Sequence, residues 1–269
     1  MLVSLYSMYS ELLVNDGDTM NEQILTLLTT LKQSHNITIL YACEAGSRAW
    51  SLHHEKSDYD VRFIYTHHVN QYISINEPKQ VIEGKVLDSI EYSGWDIKKS
   101  LLLLKKHNPS ILEWLHSPIQ YINIYNVKED LINLHRQHFH EKPLLHHYFN
   151  MARTNLKLLN KKPSTKLLLN VLRPLLMCKW IITYKEFPEV QFDALLSDLK
   201  LMGIKREIEV IIGRKKNNAD ELHQVVPTLK DWMNETLEYI KLYIDKLNEK
   251  SNVIHNDELD TLFRKIVKQ

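Results

Sequence analysis

The chain has 269 residues, of which 44% are hydrophobic and 25% are charged. This composition is typical of a globular protein that buries a sizeable core in one large domain or two modest ones. The formal net charge is +1 at pH 7, which excludes nucleic-acid binding through overall charge and leaves it to local basic patches.

The cysteine content and the apolar stretches bear on the compartment. Cys43 and Cys178 lie in apolar surroundings far apart in the sequence. We expect buried free thiols in a reducing cytoplasm rather than a disulfide. No signal peptide is visible, and polar and charged residues interrupt the longest apolar stretch, 167–182. The sequence therefore predicts no membrane span.

Residues 1–19 do not join the pattern that follows. We expect either a loosely attached N-terminal extension or a stretch ahead of the true start. From residue 20 the spacing of four apolar residues predicts an amphipathic helix with one buried stripe: Ile24, Leu27, Leu28 and Leu31. Such a helix is expected to cover the first strand of a sheet.

Two short apolar segments, 37–42 and 61–65, are rich in β-branched and aromatic residues and predict buried strands. Gly46 and Ser47 fall where the first strand ends and a short helix is expected to begin. A glycine there allows the backbone to approach a ligand closely. The free N–H groups at the start of a helix attract phosphate.

Asp58 and Asp60 fall at the start of the second predicted strand. Because side chains alternate along a strand, both carboxylates are expected on one face. Two neighbouring carboxylates repel each other unless a cation lies between them, and a divalent ion bound with the phosphates of a nucleotide meets that requirement. Arg62 is expected to face away from both aspartates.

Gly-Ser, a gap of about ten residues and Asp-x-Asp on a strand resemble the signature of the DNA polymerase beta-like nucleotidyltransferase superfamily. Segments 41–50 and 57–65 are similar to its YcgL/RlaP-like branch, predicted nucleotidyltransferases of bacteria and phages that in some members accompany RNA ligases. The resemblance continues through 93–97, 108–114 and 171–176 and weakens after about Asp193.

The resemblance implies a set of site residues. Gly46 and Ser47 are expected to bind the phosphates of a nucleoside triphosphate. Arg48 is expected either to pair with a phosphate or to brace the loop. Asp58 and Asp60 are expected to be catalytic and to bind Mg²⁺ or Mn²⁺, as two ions together with the nucleotide.

The superfamily also has a third carboxylate on a neighbouring strand. The strand predicted at 85–92 offers Asp88 and Glu91, which parity places on opposite faces. The resemblance favours Glu91 as the third catalytic and metal-binding residue, with Asp88 as the alternative. A further strand is predicted at 72–75. Asp96 is expected in the first turn of the next helix, where a carboxylate suits the helix dipole.

Four histidines, His53, His54, His67 and His68, suggest a zinc site, but their spacing is poor for a structural one. We expect exposed loop histidines instead. Trp50 is expected in the core rather than stacked on a base.

The period of the apolar residues changes to that of helices from about residue 95, and one last strand is predicted at 119–124. Helices are then predicted at 127–138, 142–160, 164–184, 191–216 with a break near Gly203, 228–248 and 256–267. The expected class is therefore α+β. A small mixed-sheet nucleotidyltransferase domain at 20–125 is followed by an all-helical domain at 126–269.

No acidic residue occurs between Glu141 and Glu186, whereas basic residues are frequent there. They include Arg153, Lys157, Lys161, Lys162, Lys166, Arg173, Lys179 and Lys185. One interpretation is a solvated basic face. The other is a wall that binds triphosphate or the RNA backbone, with Lys166 and Arg173 as the nucleotide-binding residues. Tyr148 and Asn155 are weaker candidates for the cleft, and residues beyond Asp193 are expected to be scaffold.

Taken together, the motif, the resemblance and the basic stretch predict a metal-dependent nucleotidyltransferase that acts on a nucleoside triphosphate and an RNA end. One alternative keeps this chemistry and moves the acceptor to a small molecule or a protein side chain. Another is a catalytically silent protein that binds nucleotide or RNA.

Overall fold

A computed structural model describes residues 19–198, 201, 203–248 and 253–269. The predicted N-terminal extension falls outside these residues except for Thr19. The Thr19 side chain accepts a hydrogen bond from the N–H of Glu22, and the Glu22 carboxylate accepts one from the N–H of Thr19. This reciprocal pair caps the first helix. The division into an extension and domains at 20–125 and 126–269 stays a prediction.

Five strands form one sheet, namely β1 (Ile37–Glu44), β2 (Tyr59–His67), β3 (Val81–Val86), β4 (Ile90–Asp96) and β5 (Gln120–Asn123). The helices before and among them are α1 (Met20–His35), α2 (Gly46–Ala49), α3 (Val69–Tyr72), α4 (Ile97–Lys105) and α5 (Pro109–Leu115). The later helices are α6 (Val127–Gln137), α7 (Glu141–Lys161), α8 (Thr165–Tyr184), α9 (Phe192–Asp198), α10 (Lys205–Lys216), α11 (Pro227–Lys246) and α12 (Asn256–Val267).

The sheet has the strand order β3-β4-β2-β1-β5. β2 and β4 are parallel, whereas the other neighbouring strands are antiparallel. The sheet is therefore mixed, and helices follow it in the chain, so the predicted α+β class is confirmed. β2 is the central strand and has a hydrogen-bonded neighbour on each side.

Apolar side chains cover both faces of the sheet. On β2, Phe63 and Tyr65 belong to a cluster with Leu27 and Leu28 of α1, whereas Ile64 belongs to the larger cluster that continues into the helices. This alternation follows from the two-residue period of a strand. The helix predicted from residue 20 is thus α1, and it covers one face of the sheet.

Two strand predictions were wrong. Residues 69–72 form α3, and 73–75 are not in a strand. Residues 85–92 are not one strand but parts of β3 and β4, joined by a turn in which Leu87 and Asp88 have φ angles of 53° and 51°. Glycine or asparagine usually marks such left-handed turns. The apolar Leu87 gives no such signal, so the sequence did not indicate a hairpin at this position.

A buried hydrogen-bond network joins the ends of β2 and β4. The Tyr72 hydroxyl donates to the Asp96 carboxylate at 2.5 Å and accepts from the N–H of His67 at 3.1 Å. Asp96 also accepts from the N–H of Lys98 and so caps α4, one residue ahead of the first turn in which it was predicted. His67 is buried on β2, so the prediction of an exposed loop histidine was wrong for this residue, whereas His53 and His68 are exposed.

The helical part follows the sequence prediction closely. The bounds of α6, α7, α8, α11 and α12 lie within two residues of those predicted. The break expected in 191–216 separates α9 from α10, and Gly203, with a φ angle of 89°, lies within it. These helices are long and regularly amphipathic, which makes their apolar period easy to recognise.

α8 is the central helix of this part. Among the described helices, α8 has the length and apolar composition that a membrane-spanning helix would need. However, 67% of its most apolar segment is buried inside the fold. Burial of this kind is what the core helix of a globular protein shows. Cys178 on α8 and Cys43 on β1 are buried free thiols, as predicted, and burial raises the pKa of the Cys43 thiol to about 12.

Three histidines that are linked by ring contacts with one another and with Phe187 predict a strong acid dependence of stability. Burial lowers the pKa of His107 and His116 to about 4 and that of His135 to about 3. The unfolded chain takes up protons near pH 6.5, whereas these native side chains stay neutral until about pH 4. The unfolded state therefore binds more protons in this window. We expect the free energy of unfolding to fall as pH falls from 6.5 to 4, by on the order of 2–3 kcal/mol for each histidine.

Urea unfolding at pH 7.5, 5.5 and 4.5 measures this loss. The ring nitrogen Nε2 of His135 is buried and has no hydrogen-bond partner among the described residues. His135→Phe should therefore reduce the difference between pH 7.5 and 4.5, whereas His68→Phe at an exposed position should not. An unchanged pH difference in His135→Phe would contradict this explanation.

Candidate functional site

The Gly-Ser motif forms the first two residues of α2, directly after the end of β1. β1 ends at Glu44, and the N–H of Ala45 donates to the carbonyl of Asp60 at 2.8 Å. Gly46 follows with a φ angle of 57°, in the left-handed region that glycine tolerates best. Gly46 and Ser47 therefore lie where the first strand ends and a short helix begins, as predicted, and they lie against the start of β2.

Gly46 lies directly against the carboxylate of Asp60. A Cβ atom at position 46 would lie 2.0 Å from Oδ2 of Asp60, which is shorter than any non-bonded contact. The close approach predicted for this glycine is thus made to a side chain of the motif itself. Any larger residue at position 46 would displace Asp60.

Arg62 pairs with Asp60, and the prediction that it faces away was wrong. Its Nη2 lies 3.0 Å from Oδ1 of Asp60 and 3.4 Å from Oε1 of Glu91. The physical reason is the period of the strand, since residues two apart on β2 share a face. The guanidinium therefore lies between two carboxylates of the predicted site.

Asp60 has an unusual electrostatic environment. Burial raises its pKa, the negative charges of Glu91 and Asp58 raise it further, and the positive charge of Arg62 opposes them. Asp58 lies just ahead of β2 and is exposed. A partly buried carboxylate beside two others is stabilised by additional positive charge, which a bound cation can supply.

Glu91 and Asp88 differ clearly in position. The parallel register of β2 and β4 pairs Asp60 with Glu91, so the two side chains lie next to each other on the same face. Asp88 lies in the turn of the β3–β4 hairpin, outside the strands. Of the two candidates for the third carboxylate, Glu91 is therefore the one beside Asp60.

The carboxylates fit a divalent cation only in part. Asp58 and Asp60 offer hard oxygen ligands, and the charges of Glu91 and Asp58 add to the effect of burial in raising the pKa of Asp60. Yet, among the described residues, no group of three His, Cys, Asp or Glu side chains is arranged to hold a metal ion. The guanidinium of Arg62 lies where Asp60 and Glu91 would share one.

A cavity of about 360 Å³ lies between the motif and α8. Four motif residues line it, Gly46, Ser47, Asp58 and Asp60. Three lysines line it as well, Lys56, Lys166 and Lys215. The cavity therefore combines the two aspartates with three positive charges, which suits a ligand that carries several phosphate groups.

A second cavity, of about 370 Å³, lies beside the first. Arg173 lines it, and its Nη1 donates to Oε1 of Glu113 at 3.1 Å. The guanidinium carbon of Arg173 lies 4.1 Å from the centre of the half-buried Trp50 ring. Trp50 packs against the core as predicted, but it also lines both cavities.

The comparison with known families agrees with this geometry. The sequence model of the RNA repair pathway DNA polymerase beta family, RlaP, matches residues 20–265. The chain belongs to this family. The uncharacterized protein YcgL of Bacillus subtilis (strain 168) is 36% identical to it over 233 residues, which cover 82% of this chain and 90% of that protein. The resemblance that the sequence motif indicated is therefore confirmed over nearly the whole described chain.

The RlaP-family fold brings some of the predicted residues together and separates others. Those that line the first cavity are Gly46, Ser47, Asp58, Asp60 and Lys166. Arg173 lines the second cavity, which also includes Gly46 and Asp60. Glu91 is beside Asp60, and Asp88 is in the hairpin turn.

Arg48 is used inside the loop of this RlaP-family chain. Its guanidinium donates to the carbonyl of Ser57 at 2.7 Å and to that of Asp58 at 3.2 Å. It also lies over the ring of Tyr59, 3.5 Å from the centroid. Of the two roles expected from the sequence, these contacts favour bracing the loop over binding a phosphate.

Glu44 is a site residue that sequence reasoning missed. It is fully buried, and its carboxylate accepts hydrogen bonds from the N–H of Asp60 at 2.7 Å and the hydroxyl of Tyr121 at 2.6 Å. Burial raises its pKa, while these two hydrogen bonds oppose the increase. Glu44 therefore fixes the backbone at Asp60. An acidic residue in an apolar strand just before Gly-Ser was the signal available in the sequence.

Two lysines of the first cavity were also missed. Lys56 lies in the loop before Asp58, and Lys215 lies near the end of α10. Lys215 belongs to the part of the chain predicted to be scaffold, yet it lines this cavity. No spacing in the sequence connects a lysine of α10 to the motif.

The other basic residues of 142–185 do not form one wall. Arg153, Lys157, Lys161 and Lys162 are exposed on α7 and just after it. Lys185 pairs with Glu141 at 2.6 Å and with the hydroxyl of Tyr243. The basic stretch therefore contributes to several surfaces, and of its lysines and arginines only Lys166 and Arg173 line the two cavities.

Tyr148 and Asn155, the weaker cleft candidates, both have structural partners. Tyr148 is buried, and its hydroxyl donates to Oε1 of Glu113 at 2.9 Å. Asn155 donates to the carbonyl of Asn170 at 3.0 Å and so joins α7 to α8. Neither side chain is among those that line the two cavities.

Proposed function

We propose that this RlaP-family chain is a divalent-metal-dependent nucleotidyltransferase. It transfers a nucleoside monophosphate from a nucleoside triphosphate to a hydroxyl group at an RNA end. One observation carries the proposal: Gly46 and Ser47 at the start of α2, both aspartates and Lys166 line the same cavity. Phosphate binding needs the start of the helix and the lysine, and phosphoryl chemistry needs the carboxylates.

The first cavity is the proposed site of the nucleotide. Gly46 and Ser47 offer backbone N–H groups to the phosphates, and Lys166 offers a positive charge from the opposite side. Lys56 and Lys215 add positive charge from two further segments of the chain. A site built in this way attracts a triphosphate more strongly than a neutral ligand.

Asp58 and Asp60 are the residues that we propose to hold Mg²⁺ or Mn²⁺. When bound, a divalent cation polarises the acceptor hydroxyl and neutralises charge on the phosphates. The superfamily resemblance implies two ions. Arg62 already supplies positive charge between Asp60 and Glu91, so a second cation there would compete with the guanidinium for the same carboxylate oxygens.

In the proposed reaction the acceptor hydroxyl oxygen forms a bond to the α-phosphorus, and the bond from that phosphorus to the bridging oxygen breaks. Pyrophosphate leaves with the electron pair, and the hydroxyl proton passes to Glu91 as general base. The protein contributes positioning and charge neutralisation.

Glu91→Gln should lower the transfer rate by about 10²-fold, because it removes both a negative charge beside Asp60 and the proposed proton acceptor. Asp88→Asn is the matched control, since Asp88 lies in the hairpin turn. It should leave the rate within about twofold. Steady-state transfer rates of both variants measure the difference. A large loss in Asp88→Asn with a normal rate in Glu91→Gln would reverse the assignment.

RNA is the proposed acceptor for two reasons. The description of the family names an RNA repair pathway, and Arg173 lines a cavity next to the aspartates. The free thiols Cys43 and Cys178 accord with the cytoplasm as the proposed compartment. Transfer to a protein side chain is a second candidate function, and incorporation of label into the protein itself would favour it.

The deciding experiment incubates the protein with each nucleoside triphosphate labelled at the α-phosphate, with Mg²⁺ or Mn²⁺ and a pool of total RNA. Label that appears in RNA and depends on the metal supports the proposal and identifies the preferred base. Label on the protein moves the acceptor to a side chain. Nucleotide binding without transfer to any acceptor would indicate a catalytically silent protein that binds nucleotide or RNA.

A further inference from the structure

The two cavities meet at one carboxylate. Three residues line both of them, Gly46, Trp50 and Asp60. The first cavity adds Asp58 and the lysines, whereas the second adds Arg62, which contacts Glu91. Asp60 therefore faces two separate spaces of similar volume. Two substrates bound in these two spaces would therefore meet at Asp60.

We infer that the second cavity binds the acceptor, and that its ligand is the terminal nucleotide of a single-stranded RNA whose phosphate accepts hydrogen bonds from Arg173. This inference rests on the proposed function, because it names the space in which the acceptor of that reaction lies. It assigns the nucleoside triphosphate and the RNA end to different cavities.

Arg173 is the residue that carries the inference. Only 4% of its surface is exposed, and Nη1 is its donor to Glu113. Its Nε and Nη2 are buried and have no hydrogen-bond partner among the described residues. Buried polar groups without a partner are rare, because each costs the full free energy of its desolvation. Such a pair of donors indicates a missing acceptor.

The geometry of the free donors specifies the kind of acceptor. Nε and Nη2 lie on one edge of the guanidinium plane, with Nη1 on the far side. Two parallel N–H groups on one edge match two oxygens of a phosphate, which is the bidentate contact that arginine forms best. The Trp50 ring lies against the guanidinium, 4.1 Å from its carbon, and holds the plane in place.

The remaining walls suit the rest of a nucleotide. Trp50, Trp114 and Met151 provide an apolar side against which a base can pack. Trp114 is itself held by Trp95, whose ring is stacked on it at 3.8 Å. Arg62 adds a second positive charge on the Asp60 side. A phosphate held by Arg173 and a base on these walls would direct the terminal ribose towards Asp60.

The test measures RNA and nucleotide binding separately, without catalysis. Fluorescence anisotropy of an end-labelled eight-nucleotide single-stranded RNA reports on the acceptor, and titration with a fluorescent nucleoside triphosphate analogue reports on the nucleotide. Arg173→Lys keeps the charge and removes the bidentate edge. We expect it to weaken RNA binding by about tenfold or more and to leave nucleotide binding within about twofold.

Lys166→Ala is the matched variant on the first cavity and should show the opposite pattern, with weaker nucleotide binding and unchanged RNA binding. Ser110→Tyr narrows the second cavity from an exposed position and leaves the Arg173–Glu113 pair intact. It should also weaken RNA binding. Because Arg173 is buried, Ser110→Tyr carries the test alone if thermal melting shows that Arg173→Lys does not fold.

Unchanged RNA affinity in Ser110→Tyr and in folded Arg173→Lys would overturn the inference. Equal losses of RNA and nucleotide affinity in Arg173→Lys would overturn it as well. Failure of the proposed function looks different, because RNA would still bind through Arg173 while no label is transferred to it. Conversely, transfer to RNA that does not depend on Arg173 or Ser110 would support the proposed function. It would reject the second cavity as the binding site of the RNA acceptor.

Discussion

Replacing Asp58 and Asp60 together by asparagine is expected to abolish metal-dependent transfer, with a loss of at least about 10³-fold. The variant removes two of the negative charges that we propose to hold the cation and keeps the shape of both side chains. It should fold normally, since Asp58 is exposed and the backbone of Asp60 remains bonded to Ala45 and Glu44. Transfer of label from each nucleoside triphosphate to RNA measures the loss.

A charge-matched control accompanies this variant. Asp257→Asn with Asp260→Asn removes the same two negative charges from exposed positions on α12, away from both cavities. It should leave transfer within about twofold. Unchanged transfer in the Asp58/Asp60 variant, with the control equally active, would reject the assignment of the catalytic carboxylates. The affinity for Mn²⁺, measured by titration in the presence of nucleotide, should fall in the first variant alone.

Gly46→Ala is expected to cause the second largest effect. The new Cβ would lie 2.0 Å from Oδ2 of Asp60, and the φ angle of 57° disfavours any residue with a Cβ. The carboxylate of Asp60 must therefore move by about 1 Å to relieve this contact. A displacement of about 1 Å in a catalytic group can lower the rate by about 10²-fold. We also expect a loss of about 1–2 kcal/mol in the free energy of unfolding.

Gly213→Ala is the control for this substitution. Gly213 lies within α10, no atom would lie within 4 Å of its added Cβ, and alanine is the better helix former. That variant should be as active as the wild type and more stable by about 0.5–1 kcal/mol. Rates and urea unfolding curves of the two alanine variants provide the comparison. A fully active Gly46→Ala would show that Asp60 tolerates displacement and so contributes little to catalysis.

Local patterns predicted the centre of the site. Gly46, Ser47, Asp58 and Asp60 are close in sequence, and only the rest of α2 and one loop separate the two pairs, so their spacing determines most of their geometry. The position of Arg62 was also contained in the sequence, because the two-residue period of a strand places it beside Asp60.

Other parts of the site depend on contacts that spacing does not encode. Lys56 and Lys215 come from segments that meet only after the helices have packed on the sheet. The hairpin between β3 and β4 was missed because Leu87 adopts a left-handed conformation that its apolar side chain does not indicate. The free donors of Arg173 follow from burial against Trp50, which no linear pattern reveals.

The central place of β2 in the sheet has a consequence for how the site behaves during thermal fluctuation. A strand with neighbours on both sides exchanges its amide hydrogens only in rare, large opening events, whereas edge strands such as β3 and β5 fray more readily. Asp60 and Arg62 are therefore anchored in the slowest-opening part of the sheet. The lysines that face them come from a loop and from helices outside the sheet. Adjustment to substrates of different size thus falls to the lysine side, while the carboxylate side acts as a fixed reference.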